Sequence, residues 1–185
     1  CHSKDLWIEG WLMAGKLVQV DSNTVTSAVS SVTLTGIDDD SVYMVALTNI
    51  QGSSDVQSLK VRVTASGTGQ STSNYDYAKK TFRANASYTN NTATNQTEVF
   101  VNTQLAMGTG TQETLQGIQY LYSFNNSSEF SFASDELAFR SYDSGSLMGG
   151  QGLWVYHYDE AHDGVTYFMS SGNIVSGTFT LYKVV

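Results

Sequence analysis

Ser171–Val185 reads SGNIVSGTFTLYKVV. Phe179 and Leu181 alternate there with Thr178, Thr180 and Tyr182, which is the period-two pattern of a half-buried strand. The expectation is a strand inside a sheet, over Ile174–Val184. The same alternation returns along the chain between segments rich in Gly, Ser, Thr, Asn and Asp. In Ser31–Thr35, Val32 and Leu34 share one face. In Ser58–Ala65, Leu59, Val61, Val63 and Ala65 point one way and Lys60, Arg62 and Thr64 the other. Further strands are expected at Leu115–Phe124, Glu136–Tyr142, Gly152–Tyr158 and Val165–Ser170. Ser41–Thr48 differs, because Val42 to Leu47 is apolar on both faces, as in a central strand covered on both sides.

Turn signals separate these segments: Asp38-Asp39-Asp40, Gln51 to Ser54, Asn125 to Ser128, Gly145 to Gly150, and Asp163-Gly164. Asn74–Ala84 fits either a short helix behind a Ser73 or Asn74 cap or an edge strand. Thr89–Thr97 is an Asn/Thr tract and reads as a loop. The pattern predicts an all-β, jelly-roll-like antiparallel β-sandwich of roughly eight to ten strands. It forms a single domain over 13–185, with Val61, Val63, Phe139, Phe179 and Leu181 buried and Lys60 and Arg62 not.

Composition narrows the function. The chain has 185 residues, 9 Lys and Arg against 17 Asp and Glu, and a net charge of −8. Nucleic-acid binding needs a basic face, and so does an anionic membrane surface, so neither partner is expected. No apolar run has the length of a membrane helix. Cys1 is the lone cysteine, which excludes an intrachain disulfide and a cysteine metal cluster. There is no proline, so turns fall to Gly, Asn, Asp and Ser.

The order of segments carries a resemblance: KLVQV from Lys16, SSVTLTGI from Ser30, DDSVYMVAL from Asp39, LKVRVTASGT from Leu59, SNYDYA from Ser73, GIQYLYSFNNSSEFSF from Gly117, LAFRSYD from Leu137 and SGNIVSGTFTLYKV from Ser171. The chain from Met13 onward resembles jelly-roll virion proteins of tailed bacteriophages of marine and freshwater hosts. Val42–Leu47, Ile118–Phe132 and Ser171–Lys183 carry most of the likeness. The resemblance implies a capsid decoration, tail-fibre or appendage subunit located in the virion. It also implies assembly as a homotrimer with other virion proteins, no cofactor and no catalytic motif.

Several constellations contain residue types that carry chemistry. His157, Asp159, Glu160, His162 and Asp163 fall in the run HYDEAHD, where imidazoles and carboxylates together offer metal ligands. The two histidines match no ligand spacing, so the run is read as a polar turn and His157, Asp159, His162 and Asp163 as metal candidates only. Asp38, Asp39 and Asp40 offer oxygens for Ca²⁺ but lack the rest of a calcium loop; they are read as a solvated turn. Trp154, Tyr156 and Tyr158 form one aromatic stripe and Tyr120, Tyr122 and Phe124 another. Such stripes either fill a core or interface or, if exposed, stack on sugars, which makes Trp154, Tyr156 and Tyr158 the glycan-binding candidates. No nucleophile elbow or phosphate loop is present.

The expectation is therefore a non-enzymatic virion subunit that self-assembles through an apolar face, with Tyr43, Val45 and Leu47 at the interface. The alternative is a receptor- or glycan-binding tip domain of a phage fibre that takes a host-surface glycan. A glycan-active enzyme ranks behind both. Residues 1–12 are expected to be a leader or arm outside the native product. Glu9-Gly10 can be encoded as a ribosome-binding sequence two codons before Met13, whereas Trp7, Ile8, Trp11 and Leu12 would suit a docking arm.

Overall fold

In the computed structural model, residues 15–84, 86–102, 107–143 and 145–185 are described. The expected leader 1–12 lies outside them. The strands are β1 (Leu17–Val25), β2 (Ser31–Thr35), β3 (Tyr43–Gly52), β4 (Leu59–Ala65), β5 (Thr68–Gly69), β6 (Tyr75–Arg83), β7 (Ala86–Gln96), β8 (Val99–Phe100), β9 (Leu115–Tyr122), β10 (Ser131–Arg140), β11 (Leu147–Tyr156), β12 (Gly164–Met169) and β13 (Ile174–Val184). No helix occurs among the described residues.

Pairing order defines the architecture. Setting aside β5, β6, β7, β10 and β11, the first strand pairs the last, β1 with β13, and the second pairs the next to last, β2 with β12. Then β3 pairs β9 and β4 pairs β8. Cross-pairs β13–β3 and β12–β4 complete two sheets. A hairpin rolled up in this way is a jelly roll, so the expected all-β sandwich is observed, with thirteen strands among the described residues rather than eight to ten.

The remaining long strands arrive as two hairpins. β6–β7 is inserted between β4 and β8, and β10–β11 between β9 and β12. Together they widen one sheet past β9, giving an eight-stranded sheet ordered β1-β13-β3-β9-β10-β11-β6-β7. The other sheet keeps β2-β12-β4-β5, with β8 also on β4.

Alternation places the core between the sheets. Val61, Val63, Phe139, Phe179 and Leu181 are all buried, as their spacing requires. Lys60 and Arg62 stay half-exposed, both bonded to Glu98 and lying over Phe100 and Phe168 respectively. In β13 the alternation is interrupted by irregular register on either side of Ser176. Gly177 there has φ +124°, and a Cβ would sit 2.5 Å from Ile50 Cδ1. Only glycine takes that turn without strain.

Three sequence expectations are corrected. Asn74–Ala84 is neither helix nor edge: β6 lies between β11 and β7. The Asn/Thr tract is not a loop but most of β7, the outermost strand. Thr is β-branched and suits a strand, and a polar, exposed edge resists further pairing. Leu147–Gly150, read within a turn, opens β11.

Tyr43, Val45 and Leu47, expected at a subunit interface, lie instead in the core of a single chain, 0%, 0% and 2% exposed. The doubly apolar pattern of β3 arises because its inner residues meet the opposite sheet. Its outer residue Met44 is covered within its own sheet, between cross-strand partners Tyr120 and Tyr182.

Candidate functional site

β9 and the two inserted hairpins build one half of the outer face of the wide sheet. Outward positions are the parity opposite to the core: Tyr120 and Tyr122 on β9, Phe132 and Ser134 on β10, Leu153 and Val155 on β11, Ala78 and Lys80 on β6. Register then sets neighbours. Phe132 lies between Tyr122 and Val155, and Ser134 lies between Tyr120 and Leu153, with Ala78 beyond. Tyr122, Phe132 and Leu153 are 37%, 48% and 60% exposed. They form a continuous apolar stripe that no part of the chain covers among the described residues.

One row further along the strands, the face turns polar. Ile118, Glu136, Gln151, Lys80 and Asn90 follow each other across five strands. Gln151 Nε2 donates to Glu136 Oε1 at 3.1 Å, and Lys80 Nζ lies 3.7 Å from the ring centre of Tyr88. The stripe and this row flank a groove of about 800 Å³, lined among others by Tyr120, Leu153, Lys80, Asn90, Glu136 and Gln151. A second groove of about 510 Å³ shares Ala78, Thr92 and Leu153 and continues it toward Asp76 and Val155.

The residues predicted from sequence for binding do not line this face. Trp154 and Tyr156 are buried, packed with Tyr75, Phe124 and His162. The aromatic stripe on β11 is thus core, and Tyr158 alone is exposed, past the strand end. The second stripe is split. Ser123 takes φ 56°, which breaks the alternation, so Tyr122 faces out and Phe124 faces in.

The HYDEAHD run is also dispersed. His157 Nε2 lies 3.7 Å from Asp76 Oδ1. Asp163 accepts from Thr64 Oγ1 at 2.7 Å and from the Gly67 amide at 2.8 Å, fixing two turns. Asp159 is exposed. His162 is fully buried and its Nδ1 pairs with Ser131 Oγ at 2.8 Å. Burial lowers the His162 pKa to about 4, against a smaller upward pull from Asp163. No group of three or more His, Cys, Asp or Glu able to hold a metal occurs among the described residues. Asp38 and Asp39 accept from Tyr43 Oη, and Asp39 also pairs with Lys183, so this acidic turn is occupied by the protein's own donors.

Ser131, His162 and Glu160 have the order of a hydroxyl, an imidazole and a carboxylate, with His162 Nε2 3.7 Å from Glu160 Oε2. Ser131 and His162 are both fully buried, so this hydroxyl has no face to offer a substrate. The pair is a packing feature.

A polar row in the core was missed by sequence reasoning. On the inner face, Val45, Gln119, Asp135, Gly152 and Lys79 are successive cross-strand partners. Lys79 Nζ is ion-paired with Asp135 Oδ2, with side chains 2% and 1% exposed. Nζ also approaches Val101 O at 3.4 Å. Gln119 Oε1 accepts from Tyr167 Oη at 2.6 Å, a bond between the two sheets. Asp135 Oδ1 and Gln119 Nε2 are buried without a partner. The signal was present: Lys79 follows Tyr75 and Tyr77 in parity, and Asp135 sits between Ala133 and Leu137. Each is a charged residue on the apolar face of its strand.

Comparison with family models, with curated proteins and with solved structures finds no match to this chain.

Proposed function

We propose that this chain is a non-enzymatic structural subunit of a tailed-phage virion, acting by self-assembly. The proposed contact is the outer face of its eight-stranded sheet. The observation that carries this reading is the adjacency of exposed Tyr122, Phe132 and Leu153, with half-buried Val155 paired to Phe132, on one sheet face. Stripes of this kind on soluble domains mark interaction sites. The resemblance of Val42–Leu47, Ile118–Phe132 and Ser171–Lys183 to phage jelly rolls supports the virion as the place of assembly and the trimer as its form. Phe132, Leu153 and Val155 lie on strands added to the eight-stranded jelly-roll frame, and Tyr122 lies on β9, the frame strand they extend. Light scattering over a concentration series tests this. The native chain should reach three times its 20.1 kDa mass, and Leu153→Glu should stay monomeric while melting cooperatively, as the dilute native chain does. A native chain that remains monomeric at high concentration overturns the reading.

The groove favours a second reading, a fibre-tip domain that binds a host-surface glycan. Tyr120 offers a ring face, and Lys80, Asn90, Glu136 and Gln151 offer hydrogen bonds beside it. This mixture suits a sugar, whose faces are apolar and whose rim is hydroxylated. Glycan-array binding that is lost in Tyr120→Ala, by a chain that stays monomeric, would favour it over assembly.

A further inference from the structure

We propose that Lys79 and Asp135 condense into an intramolecular isopeptide bond, which ties the inserted β6–β7 hairpin to β10 across β11. Their placement already meets the geometric demands of that reaction. The two side chains are held in contact inside the sandwich, each almost wholly shielded from solvent. Gly152 lies between them in the row, paired to both. A Cβ at Gly152 would lie 2.4 Å from Lys79 Cγ, so the missing side chain is the space through which the lysine stem reaches the carboxyl. Holding the reacting groups together removes the entropic cost that makes amide formation slow between free molecules.

The surroundings favour the free amine of Lys79. Burial lowers the Lys79 pKa, opposed by the neighbouring Asp135 charge. Two charges in so dry a site are costly, and moving one proton from Nζ to the carboxylate relieves the cost. What results is a free amine against a carboxylic acid. The Nζ lone pair attacks Cγ, the Nζ–Cγ bond forms, and the Cγ–OH bond breaks. One amine proton leaves with that hydroxyl as water. No oxidation or reduction occurs and no further reactant is needed.

Gln119 supplies the remaining component. It is the direct cross-strand neighbour of Asp135, and Tyr167 Oη holds its Oε1. That leaves the Nε2 donor unpaired, in the same interior as the unpaired Asp135 Oδ1. The negative charge that develops on that oxygen during attack is what an amide donor stabilises. Gln119 Nε2 makes no hydrogen bond to the carboxyl before attack; its part in the proposal is to take up the charge that develops on Oδ1, which gives both orphans a place in one site.

Intact-mass spectrometry of the purified native chain tests the proposal without any variant. The folded protein should be lighter than its sequence by one water, and digestion should yield a branched peptide joining Lys79 to Asp135. Lys79→Arg and Asp135→Ala should each restore the full sequence mass. Gln119→Leu should slow the mass loss after refolding. A native chain at full mass, with linear peptides that contain unmodified Lys79 and Asp135, overturns the proposal. So does a water loss that persists in Lys79→Arg, because that would be a succinimide elsewhere.

Discussion

Acidification should destabilise this protein through one imidazole, and the size follows from where His162 sits. Its ring is fully buried, edge-on to Tyr156 at 5.0 Å and to Phe124 at 6.2 Å between centroids. Nδ1 pairs with Ser131, and Nε2 is buried with no hydrogen-bond partner, 3.7 Å from Glu160 Oε2; the nearby Asp163 charge favours the proton, but burial outweighs it. A proton added to this ring would have to be carried without water, so burial lowers the folded pKa from 6.5 to about 4. The unfolded chain then binds a proton that the folded chain refuses. Stability is fully present above pH 6.5 and is lost as pH falls toward about 4. Each pH unit between those two values is worth about 1.4 kcal/mol, so the loss amounts to about 3 kcal/mol. Domains of this kind are stable by only about 5–15 kcal/mol, so the effect is a large share.

The assay is urea unfolding of the native chain and of His162→Phe at a series of pH values from neutral down to about 4, the folded pKa of the ring. Replacing the imidazole shifts the variant's stability by an amount that does not depend on pH. The difference between the two curves therefore isolates the imidazole. It should change by about 3 kcal/mol over that span, with a slope of at most about 1.4 kcal/mol per pH unit. Curves that run parallel throughout would refute the reasoning and place His162 in a site that tolerates its charge.

Two further expectations concern packing. Trp154→Ala removes the largest buried side chain, against Tyr75 and Phe124, and should cost about 3–5 kcal/mol in chemical denaturation. Gly152→Ala should destabilise by about 1–3 kcal/mol despite the gain alanine usually brings to a strand. Its Cβ would meet Ala78 O and Lys79 Cα at 2.9 Å each, and backbone cannot swing aside as a side chain can.

The strands legible in the sequence are those whose two faces differ. β2 and β13 match their expected bounds because Val32 and Leu34, and Phe179 and Leu181, alternate with Thr and Ser. β7 was hidden because an edge strand whose residues are largely exposed has no apolar face to display. Parity alone does not say which apolar face is inside. In β3 the pattern of Tyr43, Val45 and Leu47 reads equally well as an outer face, yet Met44 and Ala46 occupy that side. In β11, Trp154 and Tyr156 looked like a candidate surface while Leu153, beside Trp154 on the opposite face, is what the surface carries. The single backbone excursion at Ser123 sends Tyr122 and Phe124 to opposite faces, which no residue count anticipates. The uncovered stripe is a product of register between β9, β10 and β11, segments that the sequence shows singly but does not align. The Lys79–Asp135 pair is likewise assembled across an intervening strand.

The central claim is that the outer face of the wide sheet is where this chain meets copies of itself. Hydroxyl-radical footprinting across a concentration series, with mass determined on the same samples, tests it most directly. Tyr122, Phe132 and Leu153 should become protected together as the mass rises from one chain to three, while exposed Tyr158 and Leu147 stay reactive. A trimer in which Tyr122, Phe132 and Leu153 remain as reactive as in the dilute chain, or a mass that never rises above one chain, would contradict the claim.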